Sequence, residues 1–215
     1  MGAAADQDWY RYFWNEMIRD PYQSLEEFVQ AHAHLRLFTF NYDRSFEAYF
    51  TGVASVISGK TPYDVAQALR PLFPVHLYGS LGDYAGPEGR ANSRDYKPTI
   101  NPSTVDIARR GILVIPEERD EDLGPPFKRL HQAQETAASI VFMGFGFDPI
   151  NCRRLRISRH HDPSAGRSIP PVFATTIGMS RGELERATRT IGPLDHPLNG
   201  GCIDLLRHYG VVPTA

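Results

Sequence analysis

The sequence predicts an α/β fold, a parallel sheet wrapped by helices. Three observations carry this reading. Short apolar runs alternate with longer amphipathic segments along the whole chain. Runs such as Ile112-Leu113-Val114-Ile115 and Ile140-Val141-Phe142-Met143 are continuous, the pattern of strands buried on both faces. Polar cap residues also stand where the amphipathic segments begin.

The strands follow in order. Leu35 to Phe40 is the first, Pro74 to Tyr78 the second, Gly111 to Ile115 the third, Ser139 to Phe145 the fourth and Pro171 to Thr175 the fifth. The helices lie between and around them. Trp9 to Met17 is aromatic-rich but broken by Arg11, Asn15 and Glu16, which suits a helix against a core. Ser24 caps a segment through Ala33, with Glu27 at the capping-box offset, and Ala31-His32-Ala33-His34 reads as its end. Asp43 to Ile57 carries Phe46, Tyr49, Phe50 and Val53 at helical spacing. Thr61-Pro62 reads as cap plus first helical residue for a segment to Leu69. Thr104 to Arg109, Phe127 to Thr136, Asn151 to Arg156, Ser180 to Thr190 and Cys202 to His208 complete the set.

Composition bounds the function. The chain has 215 residues, 41% apolar and 22% charged, with a formal net charge of −2. That is globular composition and excludes a disordered or collagen-like chain. The length fits one domain, taken as residues 1–215, with an aromatic-rich helical segment over 1–34 and a long loop over 79–102. The balanced charge gives no reason to expect nucleic acid, and no stretch nears the ~20 apolar residues of a membrane span. No basic segment followed by an apolar run marks the N-terminus, and Cys152 and Cys202 are too few for a disulfide framework, so a cytoplasmic setting is expected. The two cysteines also lack metal-ligand spacing, and no metal is expected.

Chemistry concentrates at the strand ends, where parallel folds bind ligands. Thr39-Phe40-Asn41-Tyr42-Asp43 closes the first strand. An amide and a carboxylate here can hold ribose hydroxyls or a water; Asp43 can equally cap the next helix. His76-Leu77-Tyr78-Gly79-Ser80 closes the second strand, with His76 and Tyr78 on one strand face. His76 is either a general base or a satisfied core histidine, and Tyr78 either a hydrogen-bond donor or a packed ring. Gly144-Phe145-Gly146-Phe147-Asp148-Pro149 follows the fourth strand. Its glycines allow close approach to a phosphate, and Asp148-Pro149 can also simply start a helix. Thr175 ends the fifth strand as a further lining residue. The basic stretch Arg153 to Arg167, with His160-His161, reads as a solvated face.

The order of these motifs resembles the sirtuin-like NAD-binding superfamily, nearest to its bacterial NAD-consuming anti-phage members rather than to protein deacetylases. Phe38 to Glu47, Val75 to Gly82 and Ile140 to Leu155 carry the resemblance, within a span from Leu35 to Tyr209. It implies a Rossmann-like three-layer fold binding NAD. It implies that Asn41 positions water or substrate at the nicotinamide ribose, with His76 and Tyr78 beside it. It implies that Thr39, Asp43, Gly79, Ser80, Gly144, Gly146, Asp148 and Thr175 line the cofactor. The reaction would be cleavage of the nicotinamide–ribose bond by water.

Two departures stand out. The family's histidine directly before the second-motif glycine is Tyr78 here, and His76 stands two residues earlier, ~6–7 Å along a strand. The family's first strand with a Gly-Ala-Gly-x-Ser-like loop has no counterpart before Leu35, so the usual first strand is expected to be lacking or replaced. Three expectations follow: a longer parent protein, a second copy or partner over the gap, or the aromatic helix of Trp9, Tyr10, Tyr12, Phe13 and Trp14 in its place. The alternative function is a non-catalytic nucleotide-binding or assembly module that associates through that helix.

Overall fold

A computed structural model describes residues 8–84, 93–96, 99–114, 123–157 and 170–210. Its architecture is α/β, with helices flanking small parallel sheets. The chain forms two compact units, one comprising Trp14–Pro116 and the other Met1–Phe13 together with Glu117–Val212.

The Trp14–Pro116 unit is built on a two-stranded parallel ladder. Strand β1 (Phe38–Thr39) pairs with β2 (Val75–His76) in the register Phe38 to Val75 and Thr39 to His76. The amides of Val75 and Leu77 extend the ladder to the carbonyls of Leu37 and Thr39, both at 2.9 Å. The hydrogen-bonded strands are shorter than the apolar runs that announce them, because an apolar run reports burial and not pairing. At Asn41 the amide turns onto the Thr39 hydroxyl at 3.0 Å, which ends β1.

Between these strands run α3 (Ser45–Ser58) and α4 (Pro62–Leu69), which pack on one another. Thr61 caps α4 as its sequence predicts, accepting the Asp64 amide at 3.2 Å. Helix α2 (Leu25–Ala31) also packs on α4. Ser24 caps it by accepting the Glu27 amide at 3.1 Å, while the Glu27 carboxylate reaches back to the Gln23 amide rather than to Ser24. The core is aromatic. Trp14, in α1 (Trp9–Met17), meets Phe28 at 5.4 Å and the edge of Phe50 at 5.2 Å, and Phe50 stacks on Phe46 at 4.0 Å. Each such ring buried is worth ~1.5–3 kcal/mol. His32 closes α2 from inside this core, 1% exposed, with Nδ1 2.8 Å from the Phe28 carbonyl.

The expected third strand is not one. Gly111 is the last residue of α5 (Pro102–Gly111), and Ile112 makes only an isolated antiparallel bridge to Gly79. Leu113 and Val114 are 44% and 87% exposed. Among the described residues the run joins its neighbour only through that bridge and the Leu113 amide on the Tyr78 carbonyl, and no ladder forms; Ile115 lies outside the described residues.

The second unit holds α6 (Pro125–Glu135) and then regular strand–helix alternation. Strands β3 (Ile140–Phe142), β4 (Val172–Thr175) and β5 (His196–Leu198) form a parallel sheet in that order. Helices α7 (Pro149–Leu155), α8 (Arg181–Ile191) and α9 (Cys202–Tyr209) follow the three strands in turn. Ser180 and Glu183 form a reciprocal capping box at the start of α8. β5 is a strand that sequence pattern misses: Pro197 argues against one, yet β5 is an edge, where a missing N–H costs no ladder bond. Of the basic stretch, Arg153, Arg154 and Arg156 lie in or next to α7, with Arg154 buried, not solvated; 158–169 lie outside the described residues.

Candidate functional site

The residues that follow β1 and β2 form one corner of the Trp14–Pro116 unit. Thr39 and His76 are directly paired across the ladder, so the segments after them begin side by side. Asn41, Tyr42 and Asp43 are exposed there. The Asp43 carboxylate accepts the Ser45 amide at 3.0 Å and the Ser45 hydroxyl, closing a turn immediately before α3, whose N-cap position is Arg44. The hydroxyl of Tyr96 donates to Ser45 Oγ at 3.2 Å, which brings the 93–96 segment onto the same corner.

His76 lies beneath this corner. Its side chain is 11% exposed, and its two ring nitrogens face two acceptors. Nδ1 is 2.7 Å from the Asn41 carbonyl, and Nε2 is 2.8 Å from Glu47 Oε1. A neutral imidazole has one N–H and cannot donate to both; the imidazolium can. Burial opposes that charge, but the Glu47 hydrogen bond, the Asn41 carbonyl and the nearby Glu47 and Asp43 carboxylates outweigh it, and the ring's pKa is raised. His76 therefore has both nitrogens engaged in an arrangement that favours the charged ring, neither free base nor inert core residue.

Two buried charges in this unit escape the motif reading. Glu47 is 5% exposed and stands on α3 with Phe50, Thr51 and Ala54 at offsets of three, four and seven. That spacing marks one helix face, and a carboxylate on the buried face is the signal by which it is found. Arg44 is 2% exposed, donates to the carbonyls of Arg94 at 2.5 Å and Asp95 at 2.7 Å, and stands 5.8 Å from the centre of the Tyr84 ring. Burial lowers its pKa, and two carbonyls and the ring take the place of water around it. It ties the 94–96 segment to the start of α3.

The other residues of the second-strand motif have local structural partners. The Tyr78 ring is half-buried, 5.7 Å from Phe40, and its carbonyl accepts the Leu113 amide at 2.8 Å. Gly79 has φ +77° and lies against Gly111. The Ser80 hydroxyl donates to the Gly82 carbonyl at 3.1 Å.

Gly144, Gly146, Asp148 and Thr175 belong to the other unit. Gly144, at φ +62°, turns the chain out of β3, and its amide donates to Thr175 Oγ1 at 2.8 Å. Thr175 is 3% exposed, so it braces the turn from inside. Asp148 caps α7, accepting the amides of Ile150 and Asn151, both at 3.0 Å. Gly146 and Asp148 line an open cavity of about 410 Å³ between α7 and α8, which Cys152, Arg186 and Arg189 also border. Burial and the Asp148 carboxylate push the Cys152 thiol up to about 11. Among the described residues no group of three His, Cys, Asp or Glu is placed to hold a metal, and no helix is long and apolar enough to cross a membrane.

Comparison with protein-family models, curated proteins and solved structures finds no match to this chain. The corner after β1 and β2 therefore speaks through its own geometry.

Proposed function

We propose that this chain is a sirtuin-like NAD-binding protein that takes NAD, or a related adenine nucleotide, at the corner after β1 and β2 and cleaves the nicotinamide–ribose bond there. One observation carries the reading: an exposed asparagine and aspartate stand at the carboxyl ends of a parallel strand pair, with the carbonyl of that asparagine held from beneath by a half-buried histidine. The resemblance of the strand-end motifs supports it and brings with it a Rossmann-like three-layer arrangement and a role in anti-phage defence.

The chemistry asks little of the protein. Nicotinamide in NAD is a pyridinium, so it departs as a neutral amine without a general acid. The C1′–N bond breaks, a C1′–O bond to water forms, and the water's proton passes to solvent. What the site must supply is orientation of that water and of the ribose, the task assigned to the Asn41 amide. Incubating the purified chain with NAD and following free nicotinamide by proton NMR tests this. Nicotinamide release that is lost in Asn41→Ala supports the proposal; turnover unchanged in that variant removes Asn41 from the mechanism.

A second reading has its own observation. Both ring nitrogens of His76 are engaged, so this ring offers no lone pair to a substrate. In that reading the chain binds the nucleotide without cutting it and assembles with itself or a partner through α1. NAD-induced chemical shifts without nicotinamide release, together with self-association in light scattering, would favour it.

A further inference from the structure

Glu47 has one hydrogen bond among the described residues. Its Oε1 meets His76 Nε2, while its Oε2 is buried without a partner. A buried carboxylate so poorly satisfied is destabilising, so what its single bond accomplishes matters. That bond fixes a proton on Nε2 of His76. With Nε2 protonated, Nδ1 can also carry a proton, and this second proton is what bonds the Asn41 carbonyl. Take the charge of Glu47 away and the ring returns to one N–H, which can serve one acceptor and not both.

The surroundings leave this arrangement without an obvious substitute. The carboxylates of Glu47 and Asp43 face His76. Glu47 itself is faced by the Arg44 guanidinium and the Tyr84 phenol. The Arg44 guanidinium is bound to the carbonyls of Arg94 and Asp95. The buried residues of α4, which packs on α3, are apolar: Val65, Ala66 and Leu69. Within the corner, the Asn41 amide is held by the Thr39 hydroxyl and the Tyr42 carbonyl by the Leu81 amide, while the Asn41 carbonyl is held through His76, and His76 is held doubly protonated through Glu47.

We propose that Glu47 is a positioning residue for Asn41, which it pins through the protonated ring of His76, fixing the backbone from which the Asn41 side chain meets the nucleotide. The proposal rests on the function proposed above and deepens it, by adding to that site a residue that never touches substrate.

The test combines nitrogen-15 relaxation of the amides of residues 41–43 with long-range proton–nitrogen spectra of His76, in wild type and in Glu47→Gln. Nicotinamide release is measured alongside, as kcat and KM against pH. In wild type near neutral pH, His76 shows two ring protons and the 41–43 amides are as rigid as α3. In Glu47→Gln the ring holds one proton, the 41–43 amides gain motion, and kcat falls roughly tenfold or more with KM little changed. Amides and a pH profile identical to wild type in Glu47→Gln overturn the proposal. Should that variant fail to fold, wild type still decides: raising the pH through the His76 titration loosens 41–43, and a corner equally rigid on both sides of it overturns the proposal. A wild-type protein that neither binds nor cleaves NAD defeats the function reading, and the 41–43 amides then report the pinning by themselves.

Discussion

Gly79 and Gly111 cross with their backbones in contact. A Cβ added to Gly79 would stand 1.9 Å from the Gly111 carbonyl oxygen, and one added to Gly111 would stand 2.2 Å from the carbonyl oxygen of Ser80. Both obstacles are backbone, held by the Ser80 amide on the Gly111 carbonyl at 3.0 Å, so neither can swing aside as a side chain would. Gly79 also sits at φ +77°, a conformation an L side chain resists. Gly79→Ala is therefore expected to destabilise the fold by about 3 kcal/mol or more, beyond the ~1 kcal/mol of the torsion alone. Chemical denaturation reads this directly, and a midpoint within error of wild type would show that the two backbones do not meet.

Stability should carry a signature of His76. Its pKa is raised in the folded protein, so folding favours the protonated ring. The resulting stabilisation is fully present below the unfolded-state value of about 6.5 and is lost as pH rises through the higher folded-state value. Melting temperatures followed from pH 5 to 9 should show this decline in wild type. His76→Gln should lack it, and matching slopes in the two proteins would count against the charged pair.

Arg44 is expected to be the latch of the 94–96 segment. Its two carbonyl hydrogen bonds are charge-assisted and shielded from water, since the residue is 2% exposed. Arg44→Met should cost about 2–4 kcal/mol, because it strands the carbonyls of Arg94 and Asp95 as well as removing the donor. Amide hydrogen exchange should then quicken over 94–96 far more than over α2. Uniform quickening would mean that Arg44 supports the unit as a whole.

What the sequence discloses and conceals here follows from the kind of signal involved. The caps Ser24 and Thr61 are local, three-residue chemistry, and each caps the helix its pattern announces. The strand-end motifs are also local, and Thr39 and His76 do stand paired across β1 and β2. Pairing between distant segments is another matter. The run at Ile112 has strand composition but meets its neighbour only in an isolated bridge to Gly79, and Pro197 hides an edge strand behind a residue that strands usually exclude. Glu47 escapes motif reading because its meaning lies in burial: only the helical face shared with Phe50, Thr51 and Ala54 separates it from an ordinary surface carboxylate.

Cys152 tests the other unit through chemistry alone. It is 2% exposed, and burial with the neighbouring Asp148 carboxylate lifts its thiol to about 11. At pH 8 such a thiol is ionised to about one part in a thousand, and the thiolate is the species that attacks disulfide reagents. Cys202, also raised by burial, should be slow as well. Titration with an aromatic disulfide at pH 8 should therefore show little reaction in the native protein and two thiols after denaturation. A native Cys152 that reacts at the rate of a free thiol would mean that α7 and α8 open readily around the cavity it borders.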